Sequence, residues 1–350
     1  MTSTQPRAVE LHGRQSCQYQ LANPGNQALG RISEFLAPLL LDPQSYGVMP
    51  EARLVSSNLV GVGRNRRIVE ETLHLKEIEP RLRRTLRLRS LLPAQERLQG
   101  AVCSLIDSRQ WTGSYYHWFL DCLPRLIAVD DHSRRTGEPT RVIVPAHLNR
   151  WQSESLELLG LSQERRIGHA PVGRGGLAVE RLITYVAHRW QRQGGAPFDA
   201  ASPWAIRTLA TQLGRGVAAT AASPRRLYLS RSGVPTRRVS NEGEVMELLK
   251  RHGFVAIQTE KLTLREQIAL FRDATHIVAP HGASLTNLLH VHQASVLEIF
   301  QEGHGVRPDF FQLAMIKGLD YQHCVCPTES PDLHCHVDLQ ILQQFLERTL

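Results

Sequence analysis

The stretch TLREQIALFRDATHIVAPHGASLTNLLHVHQASVLEIF, residues 263–300, decides the fold. Thr263 stands three residues before Glu266, the spacing of a capping box, and Leu264, Ile268, Leu270 and Phe271 are apolar, so 263–274 reads as a helix. HIVAP (276–280) is a short apolar run that suits a strand buried on both faces. GASLTNLLH (282–290) reads as a helix that starts on small residues, and SVLEIF (295–300) as the next strand. The alternation continues upstream: a strand in RRLYLS (225–230), a helix in NEGEVMELLKRHG (241–253) with Asn241 as N-cap and a glycine stop, and a strand in FVAIQ (254–258). Downstream come a helix over 306–317, a strand in DYQHCV (320–325) and a closing helix, VDLQILQQFLERTL (337–350). Strands and helices in strict alternation specify a parallel, doubly wound α/β sheet.

The first half follows the same pattern less regularly. AVCSLI (101–106), RVIVP (141–145), RRIGHA (165–170) and LAVERLITYV (177–186) read as strands, and GSYYHWFLDCLPRLIAVDD (113–131) and WQSESLELLG (151–160) as helices. RGG (174–176), QGGAP (193–197) and GRGVAATAASP (214–224) read as loops, the last as an inter-domain linker. The expected organisation is an irregular basic N-terminal region over 1–100 packed on the first half, one α/β domain over 101–222, a second over 223–336, and a C-terminal helix over 337–350, with a cleft between the halves.

A chain of 350 residues, 42% hydrophobic and 21% charged, has the composition of a globular protein of about two domains rather than a disordered one. No apolar run approaches the ~20 residues of a membrane span, and the N-terminal MTSTQPRAVELHG has no secretory pattern, so a cytoplasmic location is expected. Six scattered cysteines point to reduced thiols. The 41 Lys and Arg outnumber 33 Asp and Glu, which favours an anionic partner. Residues 53–98 hold eleven basic and five acidic side chains, and 223–238 hold five arginines and no acid. The run PRLRRTLRLRSLLPAQERLQ, from residue 80, carries Arg at 81, 83, 84, 87, 89 and 97 among leucines. It suits an anionic membrane surface, held peripherally, or a solvated element; it has no aromatic side chain for base stacking, which speaks against nucleic acid.

Several motifs are missing. There is no GxxxxGK[ST], no HExxH and no GxSxG, and Gly61-Val62-Gly63 lacks the third glycine of a dinucleotide fingerprint. No Asp-x-Asp exists to clamp a metal-bound diphosphate. Against these absences, five constellations carry chemistry. At HIVAPHGASLTNLLH (276–290), the turn at His281 and Gly282 and the helix start at Ala283 and Ser284 offer free N–H groups to a phosphate, with Ser284 and Asn287 as added donors; a simple capped turn reads equally well. Arg231 follows a strand end, and Arg237 and Arg238 follow in a Gly/Pro loop, where guanidinium groups bind phosphate; a solvated loop is the plain alternative. Glu298 interrupts an apolar strand and suits a ribose diol, or a partner in water or an arginine. His117, Asp121 and Arg125 lie at successive i,i+4 positions and form a polar stripe that either abstracts a proton or holds an ordinary Asp121–Arg125 pair; Pro124 should kink that helix. HCVCPTESPDLHCH (323–336) holds three Cys and three His, but its C-x-C spacing is tight for zinc, and no metal site is expected there.

Together, HWFLDCLPRL, YLSRSG…RRVSNE and APHGASLTNLLH…VLEIF resemble glycosyltransferase family 61, over about residues 100–325. The resemblance implies a GT-B fold of two Rossmann-like halves and metal-independent, inverting transfer from a nucleotide diphosphate sugar, UDP-linked, to a hydroxyl of a glycan or lipid-linked glycan, with no cofactor. By that likeness His281, Gly282, Ala283, Ser284 and Asn287, with Arg231 and one of Arg237 or Arg238, hold the diphosphate, and Glu298 takes the ribose. His117-Trp118-Phe119-Leu120-Asp121 matches the family's His-Trp-Leu-Leu-Asp pattern with one conservative change and belongs to the acceptor half; Asp121, assisted by His117, takes the acceptor proton. The expected setting is surface polysaccharide synthesis. The alternative from another class is a non-catalytic nucleotide- or polyanion-binding α/β protein.

Overall fold

The computed structural model of the 350-residue chain describes residues 7–21, 29–73, 79–107, 112–169, 173, 175–193, 196–218, 223–329 and 331–350. The chain divides into two compact units, residues 1–15 with 41–209, and residues 16–40 with 210–350.

The first unit is built on β1 (Arg7–His12), β2 (Gln44–Val55), β3 (Val60–Val62), β4 (Glu96–Ser104), β5 (Arg141–Pro145), β6 (Arg166–His169) and β7 (Leu177–Thr184). Their order is β1-β2-β7-β4-β5-β6, with β3 paired to β2. The strands β7, β4, β5 and β6 run parallel; β2 is antiparallel to β7, and β1 to β2. The helices are α1 (Pro80–Arg89), the short α2 (Tyr115–His117) continued by a π turn over Trp118–Cys122, α3 (Arg125–Thr136) and α4 (Arg150–Leu158). Ala52, Leu54, Leu98, Val102, Ile143 and Leu182 join in one apolar cluster.

The sheet therefore reaches well into the first hundred residues, which the sequence reading left irregular. Strand β2 is twelve residues long. It was hidden by Pro50, which breaks a strand pattern because it cannot donate to the ladder. Here Pro50 faces Arg181 of β7, while β1 pairs only as far as Val48 and β3 only from Arg53 onward. The missing donor thus falls in the gap between two neighbours, and Glu51 takes the bend with φ of +49°.

The kink expected at Pro124 takes a specific form. Leu123 N–H bonds to Trp118 O at 2.8 Å, one residue further back than in an α-helix, and the helix restarts at Arg125. A further helix, α5 (Pro203–Arg215), contains the division at Leu209–Ala210. The linker expected at 214–224 lies beyond that division, and its residues 219–222 fall outside the described residues, as do Ala170, Arg174, Gly194 and Gly195 of the other predicted segments.

The second unit holds five parallel strands: β8 (Arg226–Leu229), β9 (Val255–Ile257), β10 (His276–Pro280), β11 (Ser295–Gln301) and β12 (Asp320–Cys326). Their spatial order is β9-β8-β10-β11-β12, the flavodoxin-like arrangement 2-1-3-4-5. The connections are α6 (Glu242–Arg251), α7 (Leu264–Arg272) with the Thr263–Glu266 capping box, a 3-10 helix over Ala283–His290, and α8 (Asp309–Lys317). The C-terminal α9 (Leu339–Thr349) packs Leu342, Phe345 and Leu346 into the cluster of Tyr228, Val278, Leu297 and Ile299. Each unit is thus mixed α/β, and the second is the parallel doubly wound sheet that residues 225–326 announced.

Candidate active site

In an open α/β sheet, ligands bind at the carboxyl ends of the strands, where the strand order reverses. In the second unit that point lies between β8 and β10. Strand β8 ends at Leu229 and hands on to Ser230 and Arg231; β10 ends at Pro280 and hands on to His281 and Gly282. The two loops meet. A Cβ on Gly282 would collide with Nη1 of Arg231, so the glycine leaves room for the guanidinium to lie on the turn. Gly282 itself is extended, with φ of 170°, so its backbone does not demand glycine; a larger residue would displace the Arg231 guanidinium from the turn.

Arg231 is held by backbone oxygens: Nε donates to Arg237 O at 3.1 Å and Nη2 to Thr236 O at 3.2 Å. Burial, and then the neighbouring Arg237, bring its pKa down to about 10. Arg237 adopts a left-handed conformation, φ +57°, and its Nη1 lies 3.5 Å from Nε2 of His304. The His304 ring sits 5.0 Å from that of His281. Burial, followed by the charges of His281, Arg237 and Arg307, lowers the His304 pKa to about 4. Arg307 is matched by Asp309 at 2.8 Å. Among the described residues neither Arg231 nor Arg237 forms an ion pair with a carboxylate. The switch point is a half-buried cationic cradle held without a direct ion pair among the described residues, with Glu260 acting on Arg231 only through its field.

His281 is fixed from beneath. Its Nδ1 lies 2.5 Å from Glu298 Oε1, and the Tyr321 hydroxyl donates to Glu298 Oε2 at 2.5 Å. Glu298 has no exposed surface. Each of its oxygens already meets a protein donor, so here its geometry orients the imidazole, beside the ribose contact expected for it. Burial and the facing Glu298 raise the Tyr321 pKa well above its usual value, so the phenol stays protonated and keeps donating.

Asn287 differs from expectation. It is fully buried, and its amide donates to Gln267 Oε1 at 2.8 Å and Ser284 O at 3.1 Å, tying the 3-10 helix to α7 rather than facing a ligand. Ala283 is exposed and Ser284 half-buried, so these two remain at the surface of the turn. Of the paired arginines, Arg237 joins the cradle; Arg238 turns its Nε back to Val234 O at 2.5 Å. The Cys/His segment has a structural job. Asp332 O accepts from Arg237 N at 2.9 Å and Cys335 O from Ser240 N at 2.8 Å, so the segment clamps the arginine loop. Cys324, Cys326 and Cys335 are buried thiols in the apolar core beneath it. Among the described residues no three His, Cys, Asp or Glu side chains group to hold a metal ion.

In the first unit, His117 Nδ1 and Asp121 Oδ2 are 2.6 Å apart, both side chains partly exposed. Arg125 leaves the predicted stripe: it pairs with Asp107 Oδ2 at 2.6 Å and donates to Ser104 O and Ile106 O, at the end of β4. At the carboxyl ends of β4, β5 and β6 opens a cavity of about 420 Å³, lined among others by Asp107, Thr112, His147, Asn149 and His169. The helix carrying the dyad begins beside it, at Gly113–Ser114.

A family profile described as Glycosyltransferase 61 matches residues 115–297, more than half of the chain. The chain belongs to glycosyltransferase family 61. No curated protein gives a match. The matched span contains the His117–Asp121 dyad, Arg231 and the His281–Gly282 turn, and membership makes the protein a glycosyltransferase rather than a non-catalytic nucleotide- or polyanion-binding module. Sugar donor and acceptor are accordingly its substrates. Three residues around the His281 turn escaped the sequence reading: His304, Arg307 and Tyr321. The signal was there for His304, in Gln-Glu-Gly-His-Gly directly after an apolar strand, where a sheet presents ligand-binding side chains.

Proposed function

We propose that this transferase is a GT-B-type enzyme that moves a sugar from a nucleoside diphosphate donor, UDP-linked, to a hydroxyl of a glycan or lipid-linked glycan, with inversion and without a metal ion. The first unit serves as the acceptor half and the second as the donor half. The observation that carries the reading is the pair of guanidinium groups, Arg231 and Arg237, held without a direct carboxylate partner beside His304 at the His281–Gly282 turn, at the strand-order switch. Guanidinium groups bind phosphate oxygens bidentately, and preorganised donors stabilise a leaving diphosphate as its charge develops.

In the reaction the acceptor oxygen bonds to the anomeric carbon as the carbon–oxygen bond to the diphosphate breaks. The bonding pair leaves with the diphosphate, toward Arg231 and Arg237. Asp121 occupies His117 Nδ1, which leaves Nε2 to take the acceptor proton in this reading. The sequence leaves either member of the dyad as the base; the short Nδ1–Oδ2 contact favours His117 as the base with Asp121 orienting its ring. Glu298 and Tyr321 hold His281. The hydroxyl-rich acceptor enters the cavity at the ends of β4–β6, and cytoplasmic synthesis of a surface polysaccharide is the setting this chemistry fits.

Titration calorimetry of UDP binding in the presence of a chelator tests the donor assignment. Wild-type protein should bind, and Arg231→Ala should bind about 10–100-fold more weakly, the effect of losing a charge-assisted contact. Equal affinities would remove Arg231 from the donor site.

A further inference from the structure

Among the described residues seven large apolar side chains are exposed, and four of them, Leu82, Leu88, Leu91 and Leu92, fall within one short stretch of α1 and the turn after it. The same stretch, 80–95, has five arginines and no Asp or Glu. Arg83 is tied to Glu70 at 2.6 Å, while Arg81, Arg84, Arg87 and Arg89 are exposed without an ion pair among the described residues. The helix buries only Leu86. Arg84, Leu88 and Leu91 follow i, i+4, i+7 spacing and so share one face, nearly opposite Leu86; Leu91 N–H bonds to Leu88 O, which carries the turn onward. An isolated exposed leucine needs no explanation, but leucines crowded among unpaired arginines do.

We propose that this face, formed by Arg81, Arg84, Arg87, Leu88, Leu91 and Leu92, docks the enzyme on an anionic lipid surface. The arginines meet the headgroups, and the leucines enter the boundary with the acyl chains. Charge complementarity selects the occupant. A nucleic acid or an acidic glycan would use the arginines and leave the leucines in water, and the stretch has no aromatic ring for base stacking. No helix among the described residues is long and apolar enough to cross a membrane, so this contact is peripheral. It is independent of the donor assignment.

Co-sedimentation with phosphatidylcholine vesicles, with and without phosphatidylglycerol, tests it on the full chain. Wild-type protein should pellet with the anionic vesicles. The triple variant Arg81→Gln/Arg84→Gln/Arg87→Gln should partition about a hundredfold less, roughly fivefold per arginine. The triple variant Leu88→Ser/Leu91→Ser/Leu92→Ser should lose at least about tenfold. Both should keep the wild-type melting temperature, which separates loss of docking from loss of fold. Absence of wild-type binding to anionic vesicles overturns the proposal. So does binding that survives the leucine changes and falls only with the arginine changes, which would mark a soluble polyanion as the partner.

Discussion

The carboxyl ends of the two sheets carry similar side chains in opposite electrostatic states. In the first unit Arg125 is matched by Asp107 at 2.6 Å, and His117 by Asp121 at 2.6 Å. In the second, Arg231 is hydrogen-bonded to carbonyl oxygens, with Glu260 acting on it only at longer range, and Arg237 leans on a histidine. A half-buried guanidinium without a carboxylate keeps its charge for an incoming ligand, whereas a matched one has spent it on the fold. On the proposed reading, the neutralised edge suits an uncharged, hydroxyl-rich acceptor, and the cationic edge, which has no direct ion pair, suits a diphosphate.

The largest expected effect lies on the neutralised side. Asp121→Asn should lower the transfer rate by about 10²–10⁴, the worth of a positioned acid–base group, while UDP affinity stays at the wild-type value. Comparable losses in both would merge the two edges into a single site and erase the distinction.

A second test uses pH and acts on the cationic side. The folded-state pKa of His304 is lowered to about 4 and that of buried His290 to about 3, both first by burial. Unfolded histidine titrates near 6.5, so between about 6.5 and 4 the unfolded chain binds more protons than the folded one. Stability is therefore full above about pH 6.5 and falls as pH falls through that window. The melting temperature should drop on acidification, and UDP should restore it more at pH 5 than at pH 8, because an anion beside His304 favours its proton. In His304→Gln the UDP part of that pH dependence should vanish; its persistence would take His304 out of the cradle.

The smallest effect separates strain from binding. Arg237 sits at φ +57°. Glycine relieves a strain of about 1 kcal/mol there against a similar entropic loss, so Arg237→Gly should shift the melting temperature little and weaken UDP binding about tenfold. A large drop in melting temperature with unchanged affinity would make the loop structural.

Strands whose side chains are buried on both faces were legible, since continuous apolar runs leave few alternatives: HIVAP and RVIVP begin and end where they were read. Strand β2 was not, because its proline is tolerated only through a gap between β1 and β3 that no local pattern shows. The same limit governs the site. His117 and Asp121 were placed together correctly because they fall within one turn. Arg125 was misplaced because the π turn and Pro124 rotate it off the stripe. Glu298 and Asn287 were picked for the chemistry they carry, but burial decides whether a polar group faces a ligand or a neighbour, and burial is a property of the assembled sheet. His304 was missed because it becomes meaningful only beside His281.

The crossing order of the second sheet has a temporal side. Arg231 and Gly282 are neighbours only after the chain has gone out to β9 and come back across β8 to lay down β10. His281 is then locked by Glu298 from β11 and Tyr321 from β12. On the donor assignment proposed above, nucleotide affinity is withheld from a nascent chain until nearly all of it has emerged, and shorter fragments lack the assembled turn.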